Sequence, residues 1–152
     1  MVITGFIKDK KKIVFWQTVE IIIATIGYVI LGSYTGAINT SVGSVRNILC
    51  YKDKLNLPAK LVLAGTYTGL SFAFNNVGWI GIALLIGSIA SLFIIGIKNV
   101  MLFKALAIVG MVVWAIHDIS IQSYTAFAFD IGTIVALVVS MIQIKKQQLQ
   151  QV

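Results

Sequence analysis

The chain has 152 residues, of which 59% are hydrophobic and only 11% are charged, and its formal net charge is +7. A soluble domain of this size needs polar cover and typically contains about 25% charged residues, so this composition excludes one and predicts an integral membrane protein. The basic residues lie between apolar runs rather than on one aromatic-rich face, which argues against nucleic acid and makes the lipid bilayer the expected partner.

Six apolar segments follow one another, each near the ~17–25 residues that a helix needs to cross hydrocarbon. A closed β-barrel is excluded because its strands would alternate polar and apolar residues. We therefore predict a single all-α polytopic transmembrane domain over residues 1–152. Its six transmembrane helices are expected at about 13–31, 34–51, 57–75, 77–96, 100–117 and 121–144.

The basic residues predict the orientation of these spans. If the segment from Lys8 to Lys12 lies in the cytoplasm and the spans alternate, all 12 basic residues fall on the cytoplasmic side. Both termini are then cytoplasmic. The opposite joints, at residues 32–33, 75–76 and 117–122, carry no lysine or arginine.

The tripeptide Ser-Tyr-Thr occurs at Ser33–Thr35 and again at Ser123–Thr125. Each copy opens a span that follows one rising from the cytoplasm, which predicts a parallel repeat about an axis along the membrane normal. The repeat units are residues 13–51 and 77–144, with 57–75 as a linker helix. The first unit then lacks its first helix, which a longer natural chain would supply.

Asp130 lies about nine residues inside the last span, roughly 13 Å deep at the rise of an α-helix. An ionised aspartate there costs on the order of 2.5–3.5 kcal/mol, so it needs a partner, a proton or water. The functional interpretation is a group that hydrogen-bonds substrate or couples protons. The alternative is a structural acid, protonated or bonded to serine or threonine.

Trp114 and His117 lie one turn apart on one helix face. Trp114 would stack on a planar ligand, and His117 would gate the outer mouth or titrate near neutral pH. The alternative is an interfacial aromatic and a solvated helix end. With Asp118 as its only close acidic neighbour in sequence, His117 does not predict a metal site.

The second span carries Asn39, Arg46 and Asn47 and is too polar to face lipid all round. Either it lines a cavity or it is a buried helix packed through small residues. Glu20 in the first span is expected to form a structural ion pair with Arg46 or Lys104, or to act as a gate. No nucleophile–base pair or phosphate loop is evident, so we expect no enzyme, no catalytic residue and no cofactor. The single cysteine, Cys50, excludes an intramolecular disulfide.

Short motifs resemble the YgjV-type bacterial inner-membrane proteins. The sequence LGSYTGA, Leu31–Ala37, followed by Val45–Asn47, resembles that family's second and third helices. Trp114–His117, Ser123 and Asp130 resemble its last two helices. The resemblance implies a bacterial inner-membrane location and a three-plus-one-plus-three helix plan shared with SWEET sugar transporters, PnuC-type vitamin transporters and PQ-loop proteins.

The resemblance covers roughly Lys8 to Lys146 and has two departures. The family's first helix is reduced to a stub here, and Gly27 stands where some members carry a histidine. The family brings a loose expectation of transport but no substrate.

Two functions follow as hypotheses. The first is a small inner-membrane transporter or facilitator of an unidentified polar small molecule. Its path would run between the two helix bundles, lined by Asn39, Arg46, Asn47, Trp114, His117 and Asp130. The second is a non-transporting scaffold or partner subunit that completes its bundle by association, for example as a homo-oligomer.

Overall fold

The computed structural model describes residues 10–97 and 99–149. Six α-helices make up almost all of this part of the chain, and the prediction of an all-α fold with six helices is confirmed. They are α1 (Lys10–Ile30), α2 (Tyr34–Tyr51), α3 (Leu57–Phe74), α4 (Trp79–Ile94), α5 (Val100–Ser120) and α6 (Tyr124–Leu149). The predicted cytoplasmic positions of Lys8 and Lys98 lie outside the described residues.

Three of these helices, α1, α5 and α6, are each long and apolar enough to cross a bilayer, and α4 is a shorter apolar helix. Among α2, α3 and α4, helix α2 is the most polar, and half of its residues are buried. Its polar side chains therefore face protein, as expected for a helix that cannot face lipid all round.

The helix starts follow from local capping. Ser33 caps α2 by accepting a hydrogen bond from the backbone N–H of Gly36, and Asn56 caps α3 by accepting from Ala59. Asn99 caps α5 in the same way. These side chains satisfy N–H groups that have no partner in the first turn of a helix.

The main difference from the predicted bounds lies at the α5–α6 joint. The sequence predicts a polar loop from His117 to Gln122, but α5 continues through His117 and Asp118. The joint closes later because the N–H of Ser123 donates to the carbonyl of Asp118 at 2.8 Å and Gln122 takes a φ of 59°. His117 and Asp118 are therefore helical residues, and both are buried.

Helices α2, α3 and α4 enclose the hydrophobic core, which consists of Val42, Leu63, Tyr67, Leu85 and Leu92. Helix α1 packs mainly on α2, and α6 packs mainly on α5. Two helix pairs, α1–α2 and α5–α6, thus form the outer parts of the bundle, with α3 and α4 between them in sequence.

The joints α1–α2, α3–α4 and α5–α6 lie at one end of the bundle. Asn76 in the second joint donates to the carbonyl of Gly32 in the first at 3.0 Å. Ser33 in the first joint lies 3.2 Å from His117 near the third. The sequence places no lysine or arginine in these joints.

Basic side chains mark the opposite end. The contacts there are Lys11 with Asp53 at 3.0 Å, Lys60 with the ring of Phe93 at 5.1 Å, and Lys104 with Ser140 at 2.5 Å. A one-sided distribution of lysine and arginine is the pattern that orients inner-membrane proteins.

Candidate functional site

A buried polar network joins α1, α2 and α5 near the joint end of the bundle. The Tyr28 hydroxyl donates to Asp118 Oδ1 at 2.7 Å, and His117 Nδ1 lies 2.9 Å from the same oxygen. The other ring nitrogen of His117, Nε2, lies 3.2 Å from Ser33 Oγ. His117 is 0% exposed and Asp118 is 1% exposed. We call Tyr28, Ser33, Trp114, His117 and Asp118 the His117 cluster.

Aromatic rings wall in the imidazole of His117. The rings of Tyr28 and Trp114 stack with centroids 5.7 Å apart and an interplanar angle of 24°. Both rings meet His117 edge-on at 5.5 Å. The alternative of a solvated helix end is therefore wrong for His117, because Tyr28 of α1 and Ser33 of the first joint cover it. In this conformation Trp114 stacks on Tyr28 rather than facing an open cavity.

Gly36 on α2 allows this close packing. A Cβ atom at Gly36 would lie 3.0 Å from the Cε1 atom of His117 and 3.0 Å from ring atoms of Tyr28. Such distances are shorter than ordinary carbon contacts, so the rings would have to move. The absence of a side chain at Gly36 therefore sets the distance between α2 and α5.

Gly36→Ala is expected to lower the free energy of unfolding by about 1–3 kcal/mol, because it overpacks the His117 cluster. Gly65→Ala is the matched control, since a Cβ there meets nothing within 4 Å. That control should be neutral or stabilising by up to about 1 kcal/mol. Thermal unfolding of the two purified variants in detergent measures the difference, and equal melting temperatures would contradict the close packing.

Asp130 on α6 faces Asp118 on α5. The two carboxyl groups are close enough to interact with each other. The Oδ2 atoms of both aspartates are buried and receive no hydrogen bond from the described residues. The sequence-predicted intramembrane acid thus joins the His117 cluster through a second acid.

A second polar group lies between α2 and α4. Asn39 Oδ1 accepts from Ser88 Oγ at 2.7 Å, and Asn39 Nδ2 donates to the carbonyl of Thr35 at 2.9 Å. One turn further along α4, Ser91 donates to the carbonyl of Ser88 at 2.5 Å. The polar face of α2 is therefore matched by serines on α4.

Arg46 extends this group toward the basic end of the bundle. Its Nε and Nη2 atoms donate to Asn47 Oδ1 at 2.9 Å and 2.8 Å. Its Nη1 atom donates to Ser91 Oγ. We call Asn39, Arg46, Asn47, Ser88 and Ser91 the α2–α4 seam.

The six sequence-predicted path residues thus separate into two groups. Trp114, His117 and Asp130 belong to or adjoin the His117 cluster, whereas the other three belong to the α2–α4 seam. Two surface cavities are found elsewhere, one beside Cys50 and Lys60 and one between α5 and the last turns of α6. Neither is lined by a path residue. The structure brings Arg46 to Asn47 and Ser91. The ion pair of Glu20 with Arg46 stays a prediction.

Sequence reasoning missed three members of the His117 cluster. Tyr28 has no distinguishing signal in the sequence, because a tyrosine near the end of a span is ordinary in membrane proteins, yet it is 5% exposed. Ser33 and Asp118 were assigned to joints. The side chains of Ser33, His117 and Asp118 contact one another in series, as do the nucleophile, base and acid of a catalytic triad. Ser33 is 2% exposed, however, so a substrate cannot reach its hydroxyl in this conformation.

The two joints that open with Ser-Tyr-Thr share one hydrogen-bond pattern. The N–H of Ser33 donates to the carbonyl of Tyr28 at 2.9 Å, and the N–H of Ser123 donates to the carbonyl of Asp118 at 2.8 Å. Gly32 and Gln122 occupy equivalent positions and both have positive φ, 69° and 59°. Tyr28 and Asp118, which bond to each other through their side chains, are therefore equivalent positions of the two joints.

Comparisons with known proteins identify one family for this chain. Searches of curated proteins and of solved structures gave no match. The Imp-YgjV family model, described as a bacterial inner membrane protein, matches residues 1–148. Since this match covers nearly the whole chain, the protein belongs to the Imp-YgjV family of bacterial inner membrane proteins.

Proposed function

We propose that this protein is a small inner-membrane transporter or facilitator of a polar small molecule, rather than an enzyme. One observation carries the proposal: the His117 cluster, with the fully buried ionisable side chains of His117 and Asp118 at its centre, lies where α1, α2 and α5 meet. Ionisable residues inside membrane spans are costly and commonly mark substrate or ion paths. The α2–α4 seam supplies further polar groups for such a path.

The described conformation corresponds to a closed path. The Tyr28–Asp118 and Ser33–His117 contacts hold the α1–α2 pair against α5. Opening would break these contacts and expose their polar groups to a substrate. Transporters commonly alternate access by rocking one bundle against the other around such a central site.

The proposal includes six membrane spans, cytoplasmic termini and a parallel repeat. The basic end of the bundle would face the cytoplasm, in keeping with the positive-inside pattern. The shared hydrogen-bond pattern of the two joints supports units at about 13–51 and 77–144, as in SWEET-like folds. Tyr28 and Asp118, equivalent residues in contact, would then lie beside the repeat axis.

A ligand screen tests the proposed path. We expect at least one compound among sugars, nucleosides, vitamins and amino acids to raise the melting temperature of the purified protein, because a bound ligand stabilises the folded state. Asn39→Ala and His117→Asn should lose this shift, whereas Asp53→Asn, at an exposed ion pair, should keep it. Proteoliposome uptake of the same compound should follow the same order.

Two outcomes would count against transport. One is a ligand that shifts all three variants as it shifts the wild type, which would place its site elsewhere. The other is the lack of both a shift and uptake for every compound class, with the wild type folded by circular dichroism.

A non-transporting scaffold or partner subunit is the second candidate. The observation that favours it is the small buried share of α1, only 11% over its most apolar stretch. Another chain, such as a second copy of this one, would cover that face. Native mass spectrometry from lipid nanodiscs should then show a defined oligomer, and monomers alone would argue against this function.

A further inference from the structure

The carboxyl groups of Asp118 on α5 and Asp130 on α6 lie next to each other. No hydrogen-bond donor from the described residues lies between them. Asp118 is 1% exposed, and its Oδ1 atom is occupied by Tyr28 and His117. Its Oδ2 atom and the Oδ2 atom of Asp130 are both buried. Neither receives a hydrogen bond from residues 10–97 or 99–149. The side chains of Asp118 and Asp130 are nevertheless close enough to interact with each other.

A proton is the smallest group that completes this pair. Two ionised carboxylates have acceptors only and repel each other, and a membrane interior disfavours uncompensated charge. One proton between the pair supplies the missing donor and removes one negative charge. We propose that Asp118 and Asp130 form a proton-binding site in which the two side chains share one proton across the α5–α6 interface.

The surroundings of the pair fit a single remaining negative charge. Within the described residues, the titratable groups that face it are Tyr28 from α1 and His117 from α5. The cap residue of α2, Ser33, is uncharged and reaches the pair through His117. Tyr28 donates to Asp118 Oδ1, and His117 can donate to the same atom. The remaining negative charge is therefore stabilised at Asp118 Oδ1, where the donors lie.

The site links proton binding to helix packing. Asp118 accepts a hydrogen bond from Tyr28 on α1 through its Oδ1 atom. The shared proton joins Asp118 to Asp130 on α6. Release of the proton to water leaves two carboxylates in contact, and their repulsion favours separation of α6 from α5. This inference deepens the proposed function, on which its meaning for transport rests, by naming the proton as the coupling ion.

Infrared spectroscopy of the protein in lipid nanodiscs at neutral pH tests the site without any substrate. A protonated carboxyl group has a C=O stretch that a carboxylate lacks. The wild type should show this band, and Asp53→Asn should keep it because Asp53 is exposed and paired with Lys11. Asp130→Asn and Asp118→Asn should each lose it, since the asparagine amide donates to the remaining carboxylate in place of the proton.

Loss of the band in Asp130→Asn alone suffices if Asp118→Asn does not fold. A wild type without the band, or a band that survives in both variants, would overturn the proposal. A wild type that lacks the band but is stabilised by Na⁺ would overturn it in favour of a metal cation. A band in the absence of any ligand shift or uptake would support the proton site while counting against transport.

Discussion

Replacing His117 with alanine is expected to lower the free energy of unfolding by about 3–5 kcal/mol, because it removes a buried side chain together with two hydrogen-bond partners of buried oxygens. The imidazole is fully buried between Ser33 Oγ and Asp118 Oδ1, at 3.2 Å and 2.9 Å from its two nitrogens. Alanine leaves both oxygens without this partner and opens a cavity beside the rings of Tyr28 and Trp114. Chemical unfolding in detergent, followed by circular dichroism, measures the loss.

Two further substitutions separate hydrogen bonding from packing. His117→Asn retains a short polar side chain near Asp118 and should recover part of the loss. Tyr28→Phe removes only the hydroxyl that donates to Asp118 and should cost about 1.5–3 kcal/mol. Tyr124→Phe is the matched control, since Tyr124 is 66% exposed, and should change little. A His117→Ala variant within about 0.5 kcal/mol of wild type, as for surface substitutions, would contradict the network.

The fold could be predicted from sequence because apolar run length and composition determine helices of this kind. Span 34–51 coincides with α2, since Ser33 provides a cap whose signal is local. The error at His117–Asp118 has the same origin. Polar residues at the end of an apolar run usually begin a loop. The local sequence does not indicate that Tyr28, which lies 90 positions earlier, contacts and buries them.

The sequence predicts only part of the candidate site. His117 and Asp130 stood out because each is an ionisable group in or beside an apolar run. Their partners Tyr28 and Ser33 did not stand out, because a tyrosine near a span end and a serine at a helix start have ordinary explanations. One signal was available: the two Ser-Tyr-Thr copies are 90 residues apart, which is also the separation of Tyr28 and Asp118. In the proposed parallel repeat, equivalent positions would meet only near its axis.

Arg46 is the second position at which we expect a large effect. Arg46→Ala should lower the free energy of unfolding by about 3 kcal/mol, because it removes hydrogen bonds from a charged donor and leaves buried acceptors. Asn47 is 0% exposed, and its Oδ1 atom would lose both guanidinium donors. Its Nδ2 atom already has no acceptor in the described part of the chain. Ser91 on α4 would also lose its contact with Arg46.

Arg46→Lys distinguishes the charge from the geometry of the guanidinium group. Lysine keeps the positive charge but presents a single ammonium group, which cannot donate twice to Asn47 Oδ1 while also reaching Ser91. Most of the loss seen with alanine should therefore remain, and Ser91→Ala, which removes one of the three hydrogen bonds, should cost less than either. Unfolding of the three variants in one detergent gives the order. If lysine restored wild-type stability, charge would hold α2 in place, and the sequence-predicted pairing with Glu20 would explain Arg46 better than the α2–α4 seam.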